Sequence, residues 1–292
     1  MSCASAGAGR TLFKLSPLLL PLIVLFAGGL ALAAAQSFGF FLPFPYEGGT
    51  LDAYRKLLEP HYLASAGLSF FVALTSAVIS VAVGAVVAYL IWRLPDRLEG
   101  AAVIYKVPLI LPHIAVAFIV LVFWSKSGVI SSIGYHLGLV ETVSEFPSVL
   151  FSGNGFGMIL AYIYKEIPFT ILLAYAVLKR MNPQQIQTAR MLGAGEGRVF
   201  TRIVLPHMAR TLHTAFIILF LYSFGAFDIP FLLGESSPGM LSIEAYNLYF
   251  RRELADRPAA MAILTCMFLF SLGFIWLYTR VAASMKSRER KL

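Results

Sequence analysis

Three ionisable side chains interrupt stretches that are otherwise apolar: the neighbours Lys165 and Glu166, just ahead of Pro168, and Asp228, just ahead of Pro230. A charge in hydrocarbon is costly and normally faces a cavity, a water-filled path or another charge. These three are therefore candidates for contact with a solute. Neighbours on a helix point about 100° apart, so Lys165 and Glu166 cannot both line one narrow path. One is expected to face it and the other a neighbouring helix; a charge network between helices, with no solute contact, is the alternative. The Asp228 carboxylate suits a cationic solute, and it is equally at home capping a helix that restarts near Pro230. Phe169 and Phe227, with Tyr162 and Tyr164, are placed to gate a path or stack on an organic cation, although in a chain with 14% aromatics plain core filling is the competing use. His113, after Pro112, reads as a hydrogen-bonded core residue rather than a ligand.

Covalent chemistry finds no support. Neither H-E-x-x-H nor G-x-S-x-G occurs, so a zinc protease and a serine hydrolase lack their signatures. No G-x-x-x-x-G-K-[ST] occurs either, so this chain has no phosphate cradle of its own for ATP. Cys3 and Cys266 are too far apart in sequence to form a metal-binding spacing or a plausible pair.

The elements that must position these residues are set by composition. Of 292 residues, 59% are hydrophobic and only 13% charged, with a mean hydropathy of +0.78; soluble domains carry about 25% charged residues. This is an integral membrane protein. Its net charge of +8 does not point to nucleic acid, because the basic residues lie in loops and tails beside apolar stretches, as membrane topology requires. A helix needs roughly 20 apolar residues to cross a bilayer, and six windows qualify: 15–37, 66–92, 101–124, 156–178, 212–234 and 258–282. The first ends in Ala33-Ala34-Ala35-Gln36, which resembles a signal-peptide cleavage site, but its apolar stretch exceeds a signal peptide's core; it is expected to be a retained helix.

Six spans put both termini on one side. With the termini inside, Arg10, Lys14, Arg93, Arg97, the six basic residues from Lys179 to Arg210 and the five from Arg280 to Lys291 give fifteen inner cations, against six outer ones: Arg55, Lys56, Lys126, Arg251, Arg252 and Arg257. The excess predicts cytoplasmic termini.

The longest inner connection, 179–211, reads as folded structure. Asn182 is a good N-cap with Pro183 in the first turn, and Ile186, Ala189 and Leu192 recur at helical spacing before Gly193 stops the run. Gly195 and Gly197 bracket a turn. Val199, Phe200, Ile203 and Val204 then form a second apolar stripe opposite Arg198 and Arg202, ended by Pro206. Two short helices meeting at a glycine turn, with an apolar face to hide, either rest on lipid headgroups or dock on a partner.

From Gln187 to Pro206 the chain reads Gln-Thr-Ala-x3-Gly-x9-Ile-x-Leu-Pro. This resembles the E-A-A-x3-G-x9-I-x-L-P loop of permease subunits of binding-protein-dependent ABC importers of the type I fold. Ala189, Gly193, Ile203, Leu205 and Pro206 match in register, whereas Gln187 and Thr188 stand where the family usually has Glu and Ala. The resemblance implies an all-α membrane fold of six helices, with residues 1–61 as an N-terminal tail, first span and outer loop, 62–282 as the transmembrane domain and 283–292 as a basic cytoplasmic tail. It implies that 179–211, and in it Gln187, Thr188, Ala189, Gly193, Ala194, Gly195, Arg198, Phe200, Ile203, Leu205 and Pro206, couples to a separate ATPase. Two ATPase subunits would bind ATP and Mg, and this chain itself would need no cofactor. A second permease, identical or homologous, and a periplasmic or lipid-tethered solute-binding protein would complete the assembly in the bacterial inner membrane.

The segment Phe224-Gly225-Ala226-Phe227-Asp228-Ile229-Pro230 resembles span five of the permeases for polyamines, ferric iron, thiamine and some anions. A polyamine-like organic cation is the expected solute, with ferric iron, thiamine, phosphonate or another oxyanion as alternatives. The 235–257 segment, with Leu241, Ala245, Leu248 and Tyr249 at helical spacing, is expected to dock the binding protein. The glycine-rich outer segment 125–155 is expected to be flexible. An ion-coupled secondary transporter is the rival of another class, although no internal repeat of the usual kind is visible.

Overall fold

The computed structural model describes residues 14–95, 100–151, 153–235 and 237–289, with the backbone alone for Ala101, Ala102 and 283–289. Cys3, Arg10, Arg97, Arg290 and Lys291 lie outside the described residues. Every regular element among them is helical, and six helices are long and apolar enough to cross a membrane: Lys14–Ser37, Pro60–Trp92, His113–His136, Phe156–Leu178, Glu196–Gly225 and Leu254–Ala282.

The chain divides into two compact units. In the first, residues 1–60 and 244–292, helix α1 (Lys14–Ser37) packs along the last helix, and Phe26 meets Phe268 edge to face at 6.2 Å. Lys56 is paired with Asp256 at 2.5 Å.

The second unit, 61–243, holds every residue singled out above between Lys165 and Asp228. Its elements are α2 (Pro60–Trp92), α3 (His113–Trp124), α4 (Val129–His136), α5 (Phe156–Leu178), α6 (Gln184–Met191), α7 (Glu196–Gly225) and α8 (Asp228–Leu233). Two clusters fill it. One gathers Val72, Val116, Val120, Met158, Tyr162 and Ile229; the other gathers Ala88, Tyr89, Ile171, Leu178, Ile186, Val199, Val204 and Met208. Close approach of α2 to α5 depends on Gly84, where a Cβ would sit 2.5 Å from the Thr170 Cβ. Small residues at such crossings are how membrane helices gain contact when lipid offers no hydrophobic drive.

Three expected boundaries move. The third window, 101–124, is not one helix: a 3₁₀ turn, Ala101–Lys106, and one turn of α-helix, Val107–Ile110, precede a break at Leu111 and Pro112, and α3 starts afresh at His113. Proline forces its predecessor out of the helical region, and Leu111 accordingly has ψ 136°. The fifth window, 212–234, is likewise broken, because α7 stops at Gly225 and α8 begins at Asp228. At its other end α7 starts sixteen residues before that window, at Glu196. Thirty residues of helix span about 45 Å, more than the hydrocarbon thickness of about 30 Å, so hydropathy reports only the part that fits in the membrane. The segment expected to be flexible between 125 and 155 contains α4, with Gly155 in the left-handed region at φ 68° and facing Val72.

Candidate functional site

The elbow between α6 and α7 is built from local rules. Asn182 Oδ1 accepts a hydrogen bond from the Gln184 N–H at 2.9 Å, the contact expected of an N-cap. At the other end Gly193 has φ 83°, its N–H bonds Arg190 O, and the Ala194 N–H bonds Ala189 O, both at 2.9 Å. This pair of bonds is a Schellman closure, and it requires the left-handed backbone that glycine adopts without strain. Gly195 and Gly197 do not bracket a turn: Gly195 is extended, with ψ 163°, and Gly197 already lies in the helix that starts at Glu196.

Pro206 does not end a helix either. The ladder shifts into a π turn over Phe200–Val204, where the Leu205 N–H reaches back five residues to Phe200 O. The proline then falls in the first turn of the segment that continues to Gly225, and the early turn of a helix tolerates a missing N–H.

The apolar stripe of α7 turns inward rather than toward a partner. Val199 and Val204 are fully buried, Phe200 and Ile203 half-buried, and all four pack with Ala88, Tyr89, Ile171 and Leu178 of the chain's own spans. Ile186 of α6 joins them and Ala189 is half-buried. What remains outside is the tip: Met191 and Leu192 are 88% and 84% exposed; Gln187, Thr188, Arg198 and Pro206 are also exposed, while Leu205 and Ala194 are half-buried. Leu192 is thus on the outer surface, not in the buried row with Ile186.

Sequence reasoning passed over Glu196. Its carboxylate pairs with Arg190 of α6 at 2.8 Å and with Arg93, just beyond α2, at 2.9 Å, and accepts a hydrogen bond from the Tyr89 hydroxyl at 3.2 Å.

At bilayer depth, Lys165 and Glu166 are both committed inside the unit, 8% and 2% exposed. Lys165 Nζ donates to the carbonyls of Pro108, Leu109 and Leu111, at 3.0, 3.4 and 2.6 Å. Those carbonyls are the ones the break at Pro112 leaves without helical partners, and hydrocarbon provides no water to satisfy them. Glu166 accepts a hydrogen bond from the Ser223 hydroxyl of α7, and Ser76 and Ser80 of α2 flank its carboxylate. The hint available in the sequence was the row Ser65, Ser69, Ser76 and Ser80 in one span, all buried; small polar residues at helical spacing mark a helix interface in a membrane.

Asp228 is different. It opens α8 without being its cap: the cap position is Phe227, with no side-chain bond, and Asp228 is exposed. Nearby, the His113 ring lies 4.9 Å from the Tyr222 ring, and the Asp228 carboxylate is within electrostatic reach of both. His113 therefore packs ring against ring at a tilt of 37°, where a hydrogen-bonded packing role was expected. Phe227 stacks on Phe231 at 5.1 Å, and Phe169 is half-buried. Tyr162 is fully buried with its hydroxyl on Ser223 O at 3.4 Å, and Tyr164 is 42% exposed.

Six apolar helices, one preceded by a break at Pro112 and one followed by a break after Gly225, and an elbow carrying the Gln187 to Pro206 signature define a permease of the type I ABC importer fold. Residues 99–287 match the family of binding-protein-dependent transport system inner membrane components. The chain belongs to that family and is a permease subunit of an ABC importer, a multi-pass protein of the inner membrane. Among curated relatives, it is 25% identical over 215 residues to the molybdenum transport system permease protein ModB of Azotobacter vinelandii, covering 73% of this chain and 91% of that one. It is 23% identical over 186 residues to the spermidine/putrescine transport system permease protein PotB of Salmonella typhimurium, covering 63% of each chain. Among solved structures, a chain of a bacterial ABC transporter importing the acidic polysaccharide alginate superposes with a TM-score of 0.75 at 18% identity, covering 94% of this chain and 96% of that one. That likeness is one of fold.

Proposed function

We propose that this permease moves a polyamine-like organic cation by alternating access, driven by ATP and Mg bound to two partner ATPase subunits, together with a second permease and a periplasmic or lipid-tethered binding protein. The observation that carries the choice of a cation is the unequal use of charge at bilayer depth. The Lys165 ammonium, the group that would hold an anion, is occupied by three backbone carbonyls, whereas the Asp228 carboxylate is exposed beside the Tyr222 and His113 rings. A carboxylate does not face lipid, so Asp228 faces the pathway, where it neutralises an ammonium while an aromatic face adds a cation–π contact. Phe227 lines the same stretch; Lys165 and Glu166 brace the spans around it. The relation to a spermidine/putrescine permease agrees with this assignment. A second reading, an oxyanion, is favoured by the greater coverage of the molybdenum permease.

In this proposal both termini are cytoplasmic, and 62–282 is the translocating domain. The elbow is the ATPase contact, with Met191 and Leu192 as its tip and Gly193 as its turn. Ala189, Ala194, Gly195, Phe200, Ile203, Leu205 and Pro206 shape it, and Gln187, Thr188 and Arg198 form its polar rim. ATPase closure pushes the elbow, and the spans rock as a population shift between inward-open and outward-open states.

The deciding experiment is uptake by the reconstituted complex, with spermidine and molybdate offered in separate assays. Spermidine uptake is expected, falling about tenfold or more in Asp228→Asn, since a hydrogen bond to a charged group contributes roughly 1.5–3 kcal/mol. Molybdate uptake without spermidine uptake would overturn the cationic assignment and leave the oxyanion reading. Solute movement that continues with a disabled ATPase would point instead to an ion-coupled carrier.

A further inference from the structure

We infer that Glu196 is a positioning residue that ties the elbow to span two, so that a push on α6 reaches α2 through one carboxylate. The inference rests on the proposed reading of the elbow as the ATPase contact.

Three segments meet at Glu196, one of them about a hundred residues away in sequence. Arg190 comes from the last turn of α6, Tyr89 and Arg93 from the end of α2, and Glu196 itself is the first residue of α7. Tyr89 and Arg93 are four residues apart and so share a helix face, and the Arg93 guanidinium lies over the Tyr89 ring at 5.5 Å. Tyr89 also meets Phe200 of α7 at 5.2 Å. The carboxylate is thus held by three donors at 2.8, 2.9 and 3.2 Å, one from α6 and two from the end of α2. By contrast α6 contributes one buried side chain, Ile186, to the core beneath it.

The position gains meaning from Gln187. Position 187 is an exposed amide. The elbow's acid stands nine residues later and pairs within the chain. Ion pairs this exposed contribute little to stability, so substitutions in the network leave the fold intact for testing.

A test that needs no solute follows. The whole complex, this chain with its second permease and ATPases, is trapped with ATP and vanadate, and amide exchange is followed in α6 and in the last turn of α2, whose end is closed by the Arg93 N–H on Tyr89 O and the Leu94 N–H on Ile91 O. In the wild type, trapping is expected to change exchange in both segments. In Glu196→Gln the response of α6 is expected to persist and that of α2 to be lost, with copurification of the ATPases unchanged. Reversing the charges together, Glu196→Arg with Arg93→Glu and Arg190→Glu, is expected to restore the α2 response. An undiminished α2 response in Glu196→Gln overturns the inference, as does failure of the reversed network to restore it. Absence of any α6 response in the wild type would instead overturn the ATPase contact itself, and the inference with it.

Discussion

At the elbow, Arg93, Arg190 and Glu196 keep 38%, 44% and 50% of their side chains accessible, while large apolar side chains, Met191 and Leu192, stand in the open. In the middle of α5 the arrangement is reversed: Lys165 and Glu166 are enclosed, each bonded to backbone or hydroxyl groups of neighbouring helices. The contrast teaches where function can be altered without unfolding the chain. Charges in solvent carry small energies and can be rearranged, whereas an enclosed charge is bound to specific partners, and removing either side strands the other.

The strongest challenge to that contrast is Lys165→Met. Three carbonyls at the span-three break would lose their donor, and each buried acceptor left unsatisfied costs about 1–3 kcal/mol, read as a large drop in the thermal midpoint of the purified protein and in folded yield. A stable variant with normal uptake would show that water or lipid headgroups satisfy the break.

Next in size is Gly193→Val. At φ 83°, with no atom within 4 Å of the added Cβ, the strain is purely in the backbone, about 1–2 kcal/mol. Membrane insertion is expected to survive while ATP hydrolysis and uptake come apart, seen as fewer solutes carried per ATP; unchanged uptake would refute the coupling role of the turn.

Glu166→Gln should do less, about 1 kcal/mol or below, because an amide oxygen still accepts from Ser223; its thermal midpoint decides whether the enclosed carboxylate needs its charge. Smallest in stability is Met191→Ser with Leu192→Ser. Substitutions so exposed are expected to stay within about 0.5 kcal/mol, yet copurification of the ATPase should fall. Retained copurification would move the partner contact away from the tip.

The membrane class, the approximate place of four of the six spans and the stop at Gly193 were legible in the sequence alone, because apolar length and left-handed turn chemistry act over a few residues. The continuation of α7 through Pro206 was not, since whether a proline terminates or joins a helix depends on a one-residue shift of the ladder upstream of it, here at Phe200–Val204. Nor could periodicity say which way the stripe Val199, Phe200, Ile203 and Val204 points; an apolar face fits a partner or the chain's own spans equally well, and only α2 and α5 standing beside it resolve the choice. The same holds for charge. Residue types at 165, 166 and 228 announced three ionisable groups in hydrocarbon, but the donors and acceptors that occupy two of them come from segments 54–57 residues away, and the pairing of Glu196 with Arg93 spans nearly twice that separation. Local propensities travel along the chain, whereas the satisfaction of a buried or shared charge is decided by whichever distant segments the fold brings within about 3 Å of it.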